Sequence, residues 1–519
     1  IAVLMSAACV VLSACSTSMI DTAPPQNEKA ELNLETELQT LERSETDPYL
    51  WLEEVEGEAA LAWVRAQNER TLGAIQDHPV YQDNYDKVLD LVTSTDRIPY
   101  GRVRDGLVYN FWQDETNVRG LWRRTTLEDY GNEDPDWDIV LDFDRLAQDE
   151  DKNWVFKGAN CHKPLGADKT LCLVSLSDGG KDAVTVREFD LDTKTFVDGG
   201  FEIPEAKQRV AWVDHDTLLV GTDWGGDGQT LTESGYPSSI RLWKRGEPLE
   251  TAVEVFAGQK SDVAVSPWTF ELEDGTMVST VVEADTFYTR SYFLFENGAA
   301  TPFPILKKSS LGGRYQGWQF LTLQEDWTVG GEAYRAGDLL AFELKSFLET
   351  KTLPPLELVF RASPRQAVNG VAVSKSAALL SINENVAGKV LRLERSEAAG
   401  WTVPDVALPG TGQASIAFAD DAETTVFINY EGFLSPDTLL TFDPDTNATT
   451  PLKALPEKFE VDGLVVHQRE AISKDGTKIP YFVVHRDDIV LDGTTPTLLY
   501  AYGGFEISMR PSYSGGIGR

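Results

Sequence analysis

The chain has 519 residues, too many for one ordinary hydrophobic core, so two or more folding units are expected. Apolar residues make up 42% and charged residues 25%, an ordinary balance for a globular protein. Asp plus Glu number 83 against 46 Lys plus Arg, a formal net charge of −37, and so acidic a surface repels phosphate backbones and argues against nucleic acid as a partner.

Residues 1–11 form an apolar run that ends in Leu12-Ser13-Ala14-Cys15, followed by the polar stretches Ser16-Thr17-Ser18 and Pro24-Pro25-Gln26-Asn27. An apolar region closed by small residues is the pattern of an export signal and its cleavage zone, assigned here to residues 1–15. Leu-Ser-Ala-Cys also resembles a bacterial lipobox, in which Cys15 would be lipidated and become the new N-terminus; simple secretion is the alternative. A basic leading segment and an initiating methionine are both missing, so the sequence is expected to start a few residues late. The location expected is the periplasm or the outer membrane, with the lipid anchor as the one membrane link, because no later run approaches the roughly 20 apolar residues of a membrane span.

Residues 16–43 read as a linker, although Glu31–Leu38 alternatively forms a short helix. Residues 44–92 read as a helical arm. Its stretch from Glu58 to Leu72 is rich in helix formers and places Leu61, Val64 and Leu72 near one face, and Tyr85 to Val92 is a second amphipathic candidate.

From about residue 93 to 445 the texture changes to short strand-like runs separated by Asp, Gly and Asn turns. Examples are Leu107–Trp112, Trp137–Asp142, Thr170–Leu176, Ala183–Asp190, Met277–Val282, Leu339–Leu344 and Thr438–Asp443. No helix-period stretch of comparable strength interrupts them, which points to an antiparallel all-β architecture. Seven four-stranded blades of roughly 50 residues fill this length, and a propeller removes exposed sheet edges by radial closure. Cys161 and Cys172 bracket a turn-forming stretch with Pro164, Gly166 and Asp168. In an oxidising compartment a hairpin-closing disulfide is expected, with two free buried thiols as the alternative. His162 is the one nearby imidazole and the usual Cys-x-x-Cys spacing is absent, so no metal site is expected.

Beyond residue 446 the character shifts again. Pro451-Leu-Lys-Ala-Leu-Pro reads as a linker, residues 464–485 as a hairpin about the turn Lys474-Asp-Gly-Thr, and Thr497–Tyr502 as an apolar strand running into Gly503-Gly504. Hairpin followed by buried strand is a way for an α/β sheet to begin.

These residues together resemble a known family. Asp47-Pro-Tyr-Leu-Trp-Leu-Glu-Glu-Val with Ala62-Trp-Val-Arg-Ala-Gln-Asn-Glu is similar to the N-terminal segment of prolyl oligopeptidases. Ser473-Lys-Asp-Gly-Thr-Lys-Ile-Pro-Tyr-Phe-Val-Val and Leu499-Tyr-Ala-Tyr-Gly-Gly-Phe-Glu-Ile-Ser resemble the opening of their catalytic domain, and Ser177-Asp-Gly-Gly-Lys-Asp resembles their propeller segments. The resemblance implies a seven-bladed β-propeller inserted in an α/β-hydrolase domain, of which only the arm and the first strands (446–519) are present. It implies a serine endopeptidase that cleaves short proline-containing peptides after proline by acyl-enzyme chemistry, with no cofactor. The family's Gly-Gly-Ser-Asn-Gly-Gly nucleophile elbow and its later Asp and His are absent, so the resemblance implies a fragment, itself inactive.

The resemblance gives Tyr502 the role of hydroxyl donor to the oxyanion, with Gly503 and Gly504 shaping the turn. On the residues alone, a core aromatic at the sheet edge is an equal reading. Ser514, in Ser512-Tyr-Ser-Gly-Gly, lacks the Gly-x-Ser-x-Gly frame and a preceding strand, so it reads as a loop serine. His78, His162, His215, His467 and His485 read as structural or surface residues. A tethered propeller that binds a ligand without chemistry, or an oligopeptidase cleaving after basic residues, are the competing functions.

Overall fold

The computed structural model describes residues 47, 49–504 and 507–518. The expected signal, Cys15 and the linker lie outside them. The chain divides into two compact units, residues 1–87 and 88–519.

In the first unit a 3-10 turn, Leu50–Glu53, precedes helix α1, Glu58–Gln76, which runs one turn beyond the expected Leu72. Glu58 in the first turn complements the helix dipole. Trp51 meets Trp63 edge to face, with ring centroids 6.5 Å apart. Helix α2, Tyr81–Thr93, begins in this unit and leads into the second. Ala60 is buried, whereas Leu61, Val64 and Leu72 of α1 and Val88, Leu89 and Val92 of α2 are exposed, so both apolar stripes face solvent.

The second unit contains seven antiparallel sheets whose four strands follow one another in sequence: residues 101–142, 154–206, 209–257, 264–302, 309–360, 366–402 and 413–454, here blades 1 to 7. Blade 2 carries a fifth strand, Glu202–Ala206, and a two-stranded hairpin, Trp327–Val329 with Glu332–Tyr334, is inserted in blade 5. The sheets form a ring because the middle strands of the blades are apolar on both faces. Side chains alternate with a period of two; Leu218 and Val220 therefore face blade 2 while Leu219 faces blade 4. In the same way Leu380 packs toward blade 5 and Leu379 toward blade 7. Seven apolar clusters result, one between each successive pair of blades.

The last cluster closes the ring. Val103, Val108 and Tyr130 of blade 1 pack on Phe418, Phe427 and Leu439 of blade 7, without exchange of a strand between the two blades. First strands touch between blades 2 and 3, 3 and 4, 5 and 6, and 7 and 1, which makes the first strands innermost, around a central channel. The chain enters blade 1 and leaves blade 7 on one face, here the proximal face. The turns joining first to second strands all lie on the opposite, distal face.

Three expectations need correction. The outermost strand of blade 7 is Ala448–Ala454, so the propeller extends past 445 and Pro451 lies within a strand. Pro451 is tolerated because that strand is the blade's outer edge, where a missing N–H breaks no ladder. Short helices Phe143–Glu150 and Leu344–Thr350 stand between strands; the first begins where the Asp142 carboxylate accepts the Arg145 N–H at 3.0 Å. Thr497–Tyr502 forms no strand. No neighbouring strand pairs with it among the described residues, and Leu499 is 90% exposed.

Candidate functional site

The hairpin expected at 464–485 is present as Leu464–Ile472 paired with Lys478–Arg486. Its Ser473–Thr477 turn needs the positive φ of Gly476, 86°. It lies on the proximal face: Gln468 donates to the Asn385 carbonyl in blade 6, Arg365 pairs with Glu470, and Phe433 of blade 7 meets Phe482 at 5.2 Å.

The segment after Tyr502 docks on the same face. Tyr513 N–H donates to Glu431 Oε2 at 2.8 Å, and its hydroxyl accepts the Lys458 N–H at 2.6 Å. Its ring stacks on Phe459 at 5.0 Å. Burial pushes the Glu431 carboxyl above the usual range, with the Tyr513 N–H opposing and the Asp437 charge adding. Arg510 donates to Asn369 Oδ1 at 3.2 Å, and burial holds its guanidinium below its ordinary value. Asn369 sits at a β-bulge between Val368 and Gly370 in the innermost strand of blade 6. The bulge re-aims the side chain out of the ladder.

Tyr502 is 46% exposed, and its phenol folds back over its own turn: a Cβ on Gly504 would lie 2.8 Å from the hydroxyl oxygen. The half-exposed ring could swing aside from a Cβ there, so glycine at 504 favours this close approach without being demanded by backbone, and Gly503 has open space around it. Cys161 and Cys172 are directly paired across the first two strands of blade 2 and joined by a disulfide. Ser514 Oγ accepts the Ile517 N–H at 3.3 Å at the start of the one-turn helix Gly515–Gly518.

The histidines are scattered. His162 stacks on Trp212 and meets His215 edge to face at 5.5 Å, on the distal face. His467 and His485 face each other at 5.2 Å in the hairpin, and His78 lies in the first unit. Among the described residues no group of three or more His, Cys, Asp or Glu side chains is placed to hold a metal ion, and no helix is long and apolar enough to cross a membrane. The docking residues Glu431, Tyr513, Arg510 and Asn369 escaped sequence reasoning. The Arg-Pro-Ser-Tyr stretch carries no periodicity, and the bulge at Asn369 is signalled only by a glycine inside a strand.

The family model described as prolyl oligopeptidase, N-terminal beta-propeller domain, matches residues 33–455. An uncharacterized peptidase of Sinorhizobium fredii is 38% identical over 518 residues, 98% of this chain and 70% of the relative. An uncharacterized peptidase of Rickettsia prowazekii is 31% identical over 483 residues, 89% of this chain and 65% of the relative. The solved structure of a post-proline cleaving enzyme from Rickettsia typhi superposes with a TM-score of 0.82 at 29% identity, covering 89% of this chain and 68% of that one. The chain thus spans about two thirds of the length of these relatives. A seven-bladed ring matched by that propeller model, together with 38% identity over 98% of the chain, establishes that the chain belongs to the prolyl oligopeptidase family of serine peptidases.

Proposed function

We propose that these 519 residues are the propeller, the N-terminal arm and the opening of the catalytic domain of a serine oligopeptidase. The complete protein hydrolyses short peptides on the C-terminal side of proline. The observation that carries this reading is the likeness to the Rickettsia typhi post-proline cleaving enzyme, at 29% identity and a TM-score of 0.82. The attacking serine, the histidine that takes its proton and the aspartate that orients that histidine come from residues outside this sequence. The exposed apolar side chains Val466, Ile479, Tyr481 and Val484 of the hairpin and Leu498, Leu499 and Tyr500 after it support the same reading, as a sheet opening that still lacks its cover.

In this mechanism serine attack on the proline's own carbonyl carbon makes an oxyanion, and the Tyr502 hydroxyl donates a hydrogen bond to it. A donor fixed where charge develops needs no reorganisation in the transition state, and losing one such donor costs about 100-fold in kcat. Tyr502→Phe in the complete enzyme is expected to lower kcat by about that factor with little change in KM or melting temperature. An unchanged kcat removes Tyr502 from the mechanism. We further propose export through residues 1–15 and lipidation at Cys15, which predicts that mass spectrometry of the exported protein finds an acylated Cys15 at its N-terminus.

A further inference from the structure

On the distal face five of the seven blades are joined in a closed circuit. Lys163 of blade 2 pairs with Asp105 of blade 1 at 3.1 Å. Leu165 N–H, in the same loop, donates to Glu271 Oε1 of blade 4 at 3.1 Å, and the Leu165 side chain lies over Gly275, 3.2 Å from where a Cβ would sit. Arg314 of blade 5 stacks on Phe270 of blade 4 at 3.8 Å and pairs with Asp421 of blade 7 at 2.9 Å. Glu423 of blade 7 accepts the Asp105 N–H at 2.7 Å, which returns the circuit to blade 1.

Two links skip a blade: blade 2 reaches blade 4 past blade 3, and blade 5 reaches blade 7 past blade 6. A chord between non-adjacent blades runs over the mouth of the channel rather than along its rim. The mouth is therefore crossed by the 163–170 loop on one side and the Arg314 side chain on the other. The two are held differently. Arg314 is anchored by an aromatic face and a carboxylate at once. The loop's links to other blades are one ion pair and one hydrogen bond, both on exposed side chains and hence weak, while within blade 2 Lys169 pairs with Asp190 at 3.4 Å and Thr170 N–H donates to Asp192 Oδ2 at 3.1 Å. The disulfide adds a covalent tie at its root, one residue pair from the end of the ladder, where His162 and Leu171 are the last partners. Cys172 is fully buried in the cluster between blades 1 and 2, while Cys161 is partly exposed.

We propose that the 163–170 loop is a redox-braced latch over the distal mouth of the channel. The Cys161–Cys172 disulfide holds it shut, so that molecules reach the channel from the proximal face, and reduction releases it. In the releasing step a dithiol reductant attacks the more accessible Cys161 sulfur. The S–S bond breaks, two electrons and two protons pass to the cysteines as two thiols, and the dithiol leaves as a disulfide. This inference concerns the propeller alone and stands whether or not the complete protein is a peptidase.

Hydrogen exchange on the 519-residue chain, oxidised and after dithiothreitol, tests it. Reduction is expected to speed exchange about tenfold or more across 163–170 and also at the blade 4 turn 272–276, which the disulfide does not touch. The backbone amide of Arg314, in its own ladder, and the outer strands are expected to keep their protection. Exchange unchanged in the loop, or faster only at 161–172 with 272–276 as protected as before, overturns the latch. Glu271→Ala in the oxidised chain gives a second reading that leaves the cystine intact. It is expected to raise exchange at Leu165 and at 272–276, and no rise at either overturns the bridging role of the loop.

Discussion

At the scale of single residues, the propeller's stability rests on a few buried polar groups whose partners can be named. The Glu188 side chain is fully buried; it takes both Arg245 terminal nitrogens at 2.7 and 2.8 Å and the Phe201 N–H at 2.7 Å, tying blade 2 to blade 3. Hydrogen bonding to Glu188 raises the Arg245 pKa above its ordinary value. Arg245→Ala leaves that carboxylate buried and unpaired, a change that typically costs about 3–5 kcal/mol. Urea unfolding is expected to show a loss of that order, and a loss near zero would mean water replaces the guanidinium. His162 sets a pH dependence. Burial, with the His215 and Arg104 charges adding, pushes its imidazole from 6.5 down to about 4. Between those two values the unfolded chain binds a proton that the folded chain does not, so stability falls as pH drops from about 6.5 toward 4 and is unaffected by this group above that window. His162→Gln is expected to flatten the fall in melting temperature across that window relative to the parent chain. Parallel curves would contradict the assignment.

At the scale of elements, close packing between blades makes a different kind of prediction. A Cβ on Gly388, in the third strand of blade 6, would meet the Ala414 backbone nitrogen of blade 7 at 2.4 Å. Backbone cannot swing aside as a side-chain tip can, so Gly388→Ala is expected to destabilise by about 1–3 kcal/mol in thermal or urea unfolding. A neutral change would show that blades 6 and 7 slide freely. The same contrast explains which elements were readable. Leu107–Trp112 and Thr438–Asp443 were legible to the residue, because second and third strands are buried on both faces and their apolar content is dense. The innermost strands Trp154–His162, Arg209–Asp214 and Gln366–Val373 were not singled out. They border the channel, carry Lys157, Arg209 and Asn369 among their exposed residues, and are interrupted by bulges that spoil the period of two. The helix Phe143–Glu150 was missed because its apolar contacts, Phe143 and Ala147, fill only two turns.

At the scale of the whole molecule, the seven-fold count was recoverable from length, since 101 to 454 divides into consecutive four-stranded units. The site was readable only in part. Tyr502, Gly503 and Gly504 were identified by motif, yet 497–502 lacks the strand that would present the phenol, because strand formation needs neighbours that these residues do not find here. The docking of Arg510 and Tyr513 on blades 6 and 7 depends on contacts about 80 to 140 residues apart in sequence, beyond the reach of local pattern. In the reading proposed above, the chain is the propeller-bearing part of a serine oligopeptidase. The most direct measurement treats the complete protein and the 519-residue chain in parallel with a fluorophosphonate and with a short proline-containing peptide, read by mass spectrometry. The complete protein is expected to be labelled on one serine outside these residues and to cut the peptide after proline, while the 519-residue chain does neither. A complete protein that is neither labelled nor able to cut any short peptide would contradict that reading and favour a propeller that binds without chemistry.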